Sequence, residues 1–295
     1  MSQTQTVVTH SGNFHPDEVF ACATLELYYG QDAVSITRTR ETEQITEADI
    51  VVDVGGVYDP ETFRFDHHQN NAPVRQNGIP YAAFGLVWKH YGKMITDSDS
   101  VTQYIEQRVA QPIDAGDNGV SLYELNEHDV APFELFHVIS SFRPQTQNSE
   151  EVDNGFMAAV TFARQLLTRL IEYQTARESW YARAHELYQS HPPVNKILTV
   201  PEPVPTDAYT EYDDVVVVVR PDNPSENNNW IAKAVPKAEG TFANKVEFPA
   251  AWGGLTNKEL EKVSGIPGAR FCHRAGFIFV ASDQAGAVAA AQRAV

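Results

Sequence analysis

Cysteine is nearly absent: Cys22 and Cys272 are the two in 295 residues, far apart and without the paired spacing of a zinc knuckle. This excludes a disulfide scaffold and fits a reducing, cytoplasmic setting. No apolar run approaches the roughly 18 residues that a membrane-spanning helix needs, so no membrane association is expected. The opening residues, MSQTQTVVTH, carry neither the basic nor the apolar region of a secretory signal. Positive charge is scarce as well: 22 Lys and Arg stand against 39 Asp and Glu, a formal net charge of −17. A protein that coats long nucleic acid through its overall field needs the opposite sign, which argues against duplex DNA reading. A short phosphorylated substrate is compatible with this acidity if a local cationic pocket or a bound metal supplies the attraction. Internal repeats and low-complexity tails are also missing.

What is there reads as an ordinary globular chain, long enough for two domains. The N-terminal stretch alternates apolar runs with helix signals. Gln5 to Thr9 reads as a strand, followed by a helix opening at Pro16, where proline suits the first turn, and stopping at Gly30. Ala33 to Arg38, Asp49 to Val54 and Phe63 to Asp66 read as further strands, with a helix from Ala83 to Tyr91. Such alternation predicts an α/β fold: a mainly parallel sheet flanked by helices. Helical spacing then dominates to His191. The proline-rich HPPVNKILTVPEPVPTDAY marks entry to a second, smaller α/β domain. The expected division is therefore 1–191 and 192–295.

Loops at the carboxyl ends of parallel strands converge on one edge of the sheet, where ligands bind. The segments richest in metal-capable side chains fall at such ends: His10-Ser11-Gly12-Asn13-Phe14-His15-Pro16-Asp17, then Asp53 closing IVVDVGG, then Asp66-His67-His68. A fourth, Asp114-Ala115-Gly116-Asp117-Asn118-Gly119, follows a helix. Each alone reads as a solvated loop or a turn; their convergence on one edge points to a metal site. Imidazole with carboxylate suits manganese, iron, cobalt or zinc better than calcium. The candidates outnumber the ligands of one tetrahedral ion, and a pair of ions bridged by a carboxylate would use the surplus.

THSGNFHPDE, VVDVGGVYDP, RFDHHQ, AFGLVWKHYG, DAGDNG and SGIPGARFCHRAGFIF, in this order, resemble the melanocyte-proliferating-gene exonuclease family, within the Asp-His-His phosphoesterase superfamily. The resemblance spans nearly the whole chain. It implies a metal-dependent 3′-to-5′ exonuclease or oligonucleotide hydrolase with two ions, Mn2+ by that family, with Zn2+, Fe2+ or Co2+ as alternatives. His10, His15 and Asp53 would hold one ion; Asp17, Asp53 and His67 the second, completed by Asp114 or Asp117, between which the sequence does not choose. Asp66 would orient His67, and His68 would face the substrate phosphate; Asp53, Asp66 and His68 are thus the catalytic candidates. The C-terminal part resembles a substrate-gripping domain, although the superfamily's triple-glycine-His element is not intact. Gly265, Arg270 and His273, with Arg143 from the first domain, are the substrate-binding candidates. Two alternatives stay open: a pyrophosphatase or nucleotide phosphatase on a small substrate, and a non-catalytic module that binds metal or nucleotide. The partner expected is short RNA or another phosphorylated small molecule, with room for a homo-oligomer. Trp88, Trp230 and Trp252 read as core residues ahead of base-stacking platforms.

Overall fold

The computed structural model describes residues 4–238 and 240–295. The chain is α/β, with two mixed sheets flanked by helices, and divides into compact units Met1–Thr175 and Ala176–Val295. The division falls inside one long helix, Ser149–Ser190.

The first unit runs β1 (Gln5–Thr9), α1 (Pro16–Tyr29), β2 (Val34–Arg38), α2 (Thr42–Glu47), β3 (Ile50–Val52), β4 (Tyr58–Asp59), β5 (Arg64–Phe65), α3 (Ala83–Thr96), α4 (Asp99–Ile105), α5 (Gln111–Asp117) and α6 (Leu135–Ser140); the long helix is α7. The strand order is β2-β1-β3-β5-β4. β1 pairs in parallel with β2 and β3, and β3 with β5, while β4 runs antiparallel to β5. Val7, Ile50, Val52 and Phe65 pack with Val19 and Phe20 of α1 and Phe84, Val87 and Trp88 of α3. Every residue of α1 from Pro16 to Glu26 is buried. A helix enclosed on all sides needs no polar stripe, and its acids, Asp17, Glu18 and Glu26, need partners inside.

α1 starts at Pro16 because proline at the first turn has no N–H to leave unpaired. The Glu18 carboxylate accepts the backbone N–H of His15, 3.0 Å away, and so closes the N-terminus. Gly30, at φ 93°, ends it. The segment containing Asp114 and Asp117 is helical up to Asp117, and the turn expected of Asp117-Asn118-Gly119 falls at Asn118 and Gly119. α4 passes through a π-type turn, Glu106–Ala110, into α5, and Ile113 and Ala115 are buried there. Burial of these apolar residues carries the helix as far as Asp117, where the Asn-Gly pair turns the chain. Residues 120–134 form no helix or strand.

The second unit carries β6 (Ile197–Thr199), β7 (Val217–Pro221), β8 (Trp230–Ala234), α8 (Asn257–Ser264), β9 (Ala269–Cys272), β10 (Ile278–Ala281) and α9 (Gln284–Ala294), in the order β6-β7-β8-β10-β9. β6 and β7 are parallel; the other pairings are antiparallel. Ala287, Ala290 and Ala291 of α9 pack against Val217, Val219 and Ala232 of the sheet, small side chains that let helix and strands approach closely. Trp88 and Trp252 are core residues, and the indole N–H of Trp88 donates to the Thr102 carbonyl. Trp230 is partly buried against the second core.

Candidate metal centre

Asp53 directly follows β3 with φ 55°, in the left-handed region that a non-glycine residue seldom occupies. The turn places its carboxylate, almost wholly buried, between two imidazoles from different loops. Asp53 Oδ2 lies 3.3 Å from His10 Nε2, and Asp53 Oδ1 lies 3.4 Å from His67 Nε2. Each oxygen faces its own cluster. On one side, His10, His15 and Glu18 bring donor atoms within 4.8 Å of one another; on the other, Asp17, His67 and Asp117 do the same. Glu18 Oε1 is 3.1 Å from His10 Nε2, and Asp117 Oδ2 is 3.2 Å from His67 Nε2. Asp17, fully buried, is 3.9 Å from the same His67 nitrogen.

Charge is crowded here. Burial opposes a charge on His10, but hydrogen bonds with Asp53 and Glu18 outweigh it and raise its pKa to about 10. Burial likewise opposes a charge on His67, and Asp117 and Asp53 overcome it, to about 11. Burial works to raise Asp53, yet the imidazoles of His10 and His67 beside it pull it down to about 2. Asp17 is pushed well above the ordinary carboxylate range by burial and by the charges of Asp53, Asp117 and Asp114. These are the signs of an acid-rich cavity that favours added positive charge. Asp53 Oδ1 and His67 Nε2 are buried without a hydrogen-bond partner of good geometry. Orphaned donor atoms, a mixed nitrogen and oxygen set and excess negative charge together fit divalent cations.

The first turn of α3 holds the acids from below. The N–H of Ala83 donates to Asp17 Oδ2 and that of Phe84 to Asp17 Oδ1, at 2.8 and 2.7 Å. The N–H of Gly85 donates to Asp114 Oδ1, and Arg75 Nη2 lies 2.7 Å from Asp114 Oδ2. Burial raises Asp114 to about 7 against the pull of Arg75. Asp114 is therefore engaged by a guanidinium, and Asp117, one helical turn on, is the acid brought to His67.

Asp66 meets a different partner from the one expected. Its Oδ1 accepts the backbone N–H groups of His67 and His68 and lies 2.7 Å from Nδ1 of the His68 ring. Gly56 N–H donates to its other oxygen. Asp66 thus fixes the ring of His68 and only the backbone of His67, whose ring is turned toward Asp17, Asp53 and Asp117. The His68 side chain remains 62 % exposed. It lines a cleft of about 660 Å³ with His10, His15, Asp53, Asp66 and Asp117.

The other candidates make contacts of their own within each unit. Arg143 donates to Ser140 Oγ and sits over the Phe14 ring at 5.9 Å. In the second unit, Gly265 closes α8 at φ 69°, Arg270 is exposed on β9, and His273 Nδ1 accepts the Ala275 N–H in the turn before β10. Sequence reasoning missed Glu18, although its place three residues after His15 is capping-box spacing. It also missed Arg75, which no motif marks.

An α/β unit that gathers two imidazole-carboxylate clusters around one shared aspartate, at the ends of its strands, has the donor set of a divalent-metal protein. Comparison with known proteins places it more narrowly. The chain belongs to the MYG1_exonuc family, described as an uncharacterised protein family (UPF0160), whose model matches residues 6–295. A MYG1 protein of Caenorhabditis elegans is 30% identical, covering 99% of this chain and 95% of that one. A MYG1 exonuclease of Mus musculus is 30% identical over 92% of this chain and 79% of its own length. Among solved structures, a pGpG-specific phosphodiesterase, PggH from Vibrio, aligns over 94% of this chain and 92% of that one, at TM-score 0.34 and 15% identity.

Proposed function

We propose that this chain is a metal-dependent phosphoesterase that cleaves phosphodiester bonds in short RNA, as a 3′-to-5′ exonuclease of the Asp-His-His type. The observation that carries the reading is Asp53, whose two oxygens face His10 and His67 at 3.3 and 3.4 Å. His10, His15 and Asp53, with Glu18 beside them, would hold one ion, and Asp17, Asp53, His67 and Asp117 the other. Two manganese ions suit the donor set. Such a pair, when bound, supplies a hydroxide at neutral pH and offsets charge on the phosphate.

The chain's own groups do the remaining work. Asp53 keeps both clusters in register through a strained turn that fixes its carboxylate. Asp17 is held by two N–H groups of α3, so its oxygens cannot swing away from the site. Asp66 takes the Nδ1 side of His68 and leaves Nε2 toward the cleft. From there His68 can hold a proton against a phosphate oxygen or pass it to the departing oxygen. The names of the relatives, MYG1 exonucleases, support a nucleic-acid substrate. The net charge of −17 supports a short one, and keeps a pyrophosphatase or nucleotide phosphatase as the second reading.

The test is a panel of substrates with manganese-loaded protein: short RNA, dinucleotides, pyrophosphate and mononucleotides. Release of mononucleotides from the 3′ end, lost in His67→Ala, is the expected result. Phosphate release from pyrophosphate alone would select the second reading, and no turnover with two ions bound would overturn both.

A further inference from the structure

The cleft has a flank that neither the metal cluster nor His68 occupies. It is built by the loops after β1 and β2, where Ser11, Gly12, Asn13 and Arg40 line the same space as the acid-imidazole cluster. Arg40 is the one permanently charged cation among those lining residues. It is exposed, and among the described residues it makes no hydrogen bond and no ion pair; the side chains of Ser11 and Asn13 make none either. This is unusual company in a chain with 39 acids, and the contrast with Arg38 is close at hand. Arg38, two residues earlier on the strand, is tied to the Gly12 carbonyl and to Asp153. Arg38 thus holds the Gly12 loop in place, while Arg40 has no hydrogen-bond or ion-pair partner among the described residues.

The strand order sets the distance. β2 is separated from β3 by β1, so the Arg40 flank and Asp53 are two strand spacings apart, about 10 Å. The carboxylates of the cleft are engaged at its other end: Asp53 and Asp117 with the imidazoles, Asp66 with His68 and backbone N–H groups. Arg40 therefore faces open cleft with a guanidinium fork, two small neutral hydrogen-bonding side chains and a glycine backbone beside it. That set matches a phosphate dianion, which takes bidentate donors. Apart from histidines, the lining contains no aromatic side chain, so this flank has no stacking platform for a base.

We infer that Arg40, with Ser11 and Asn13, forms a subsite for a second phosphate of the substrate, a terminal phosphate next to the bond being cleaved. The inference rests on the phosphoesterase reading above and deepens it: the preferred substrate is a short oligonucleotide bearing a terminal phosphate, gripped by charge and not by base identity.

The experiment compares dinucleotides with a 5′-phosphate, a 3′-phosphate or neither, using manganese-loaded protein. Wild type is expected to prefer one phosphorylated form over the unphosphorylated one by about tenfold or more in kcat/KM and in affinity by calorimetry. Arg40→Ala should bring that ratio close to one, and Arg40→Lys should keep part of it, since charge remains but the fork is lost. Manganese stoichiometry, measured on each variant, reports whether the metal cluster is intact. A ratio unchanged in Arg40→Ala, or no preference in wild type, overturns the subsite. If nothing is cleaved, calorimetry on the same dinucleotides still decides: loss of preference in Arg40→Ala then upholds the subsite while the hydrolase reading falls.

Discussion

At the scale of single residues, Asp53 combines two demands. Its backbone sits at φ 55° and its carboxylate stands between His10 and His67. Asparagine tolerates the left-handed region about as well as aspartate, so Asp53→Asn changes charge and leaves the turn. The expected outcome is loss of stoichiometric manganese by elemental analysis and a fall of more than about a hundredfold in hydrolysis. A variant that keeps both ions and its rate would remove Asp53 from the centre of the account. Titration of the same cluster gives a second prediction. In metal-free protein His10 and His67 hold protons up to about 10 and about 11, against 6.5 for an ordinary imidazole. Between those values the folded chain binds more protons than the unfolded one, so stability is fully present below pH 6.5 and is lost as pH rises through 10. Melts in a chelator should therefore fall steadily over that range. Manganese needs neutral rings, so its apparent affinity should rise with pH and its binding should release protons, read by calorimetry in buffers of different ionisation heat. Flat melts and no proton release would contradict the pairing of these imidazoles with Asp53.

At the scale of elements, the first turn of α3 is the least forgiving feature. A Cβ on Gly85 would lie 1.9 Å from Asp114 Oδ2 and 2.5 Å from Arg75 Nη2. Gly85→Ala must therefore displace the carboxylate from the guanidinium and from the helix N–H. Breaking a buried ion pair in this way costs about 3–5 kcal/mol, which a denaturant titration of the metal-free protein would measure. A change below about 1 kcal/mol would mean that α5 moves aside without penalty. This contact also marks the limit of what the sequence discloses. β1, the start of α1 at Pro16 and its stop at Gly30 are legible because each depends on local chemistry: an apolar run, a proline, a glycine at φ 93°. The gathering of His10, Asp53 and His67 is legible for a related reason, since strand ends in such a sheet converge. That Asp117 and not Asp114 reaches His67 is not, because Asp114 is held by Arg75, 39 residues away in sequence. The partner of Asp66 is equally hidden: two adjacent histidines offer it two rings, and only the turn of the backbone selects His68. The helical state of Gln111–Asp117 depends on burying Ile113 and Ala115, and only the turn at Asn118 and Gly119 that ends it is written locally.

At the scale of the whole molecule, the net charge of −17 works against the local chemistry. On the proposed reading, two divalent ions and Arg40 would attract phosphate over a few ångströms, whereas the surrounding field repels a polyanion over a Debye length, about 10 Å at 0.1 M salt. A dinucleotide presents its few charges directly to the cleft. A long strand must also lay its remaining phosphates along an acidic surface. The two substrates should thus respond differently to salt. With manganese saturating, raising potassium chloride from about 0.02 to about 0.2 M should increase kcat/KM for an RNA of about 20 nucleotides several-fold, as screening removes the repulsion, and alter the dinucleotide value by less than about twofold. Proteins that hold nucleic acid by cationic surfaces behave the other way, losing affinity with salt because the counterions they release gain less entropy in a more concentrated solution. A long-strand rate that falls with salt would mean that a local basic surface outweighs the global field, and the preference for short substrates would lose its physical basis.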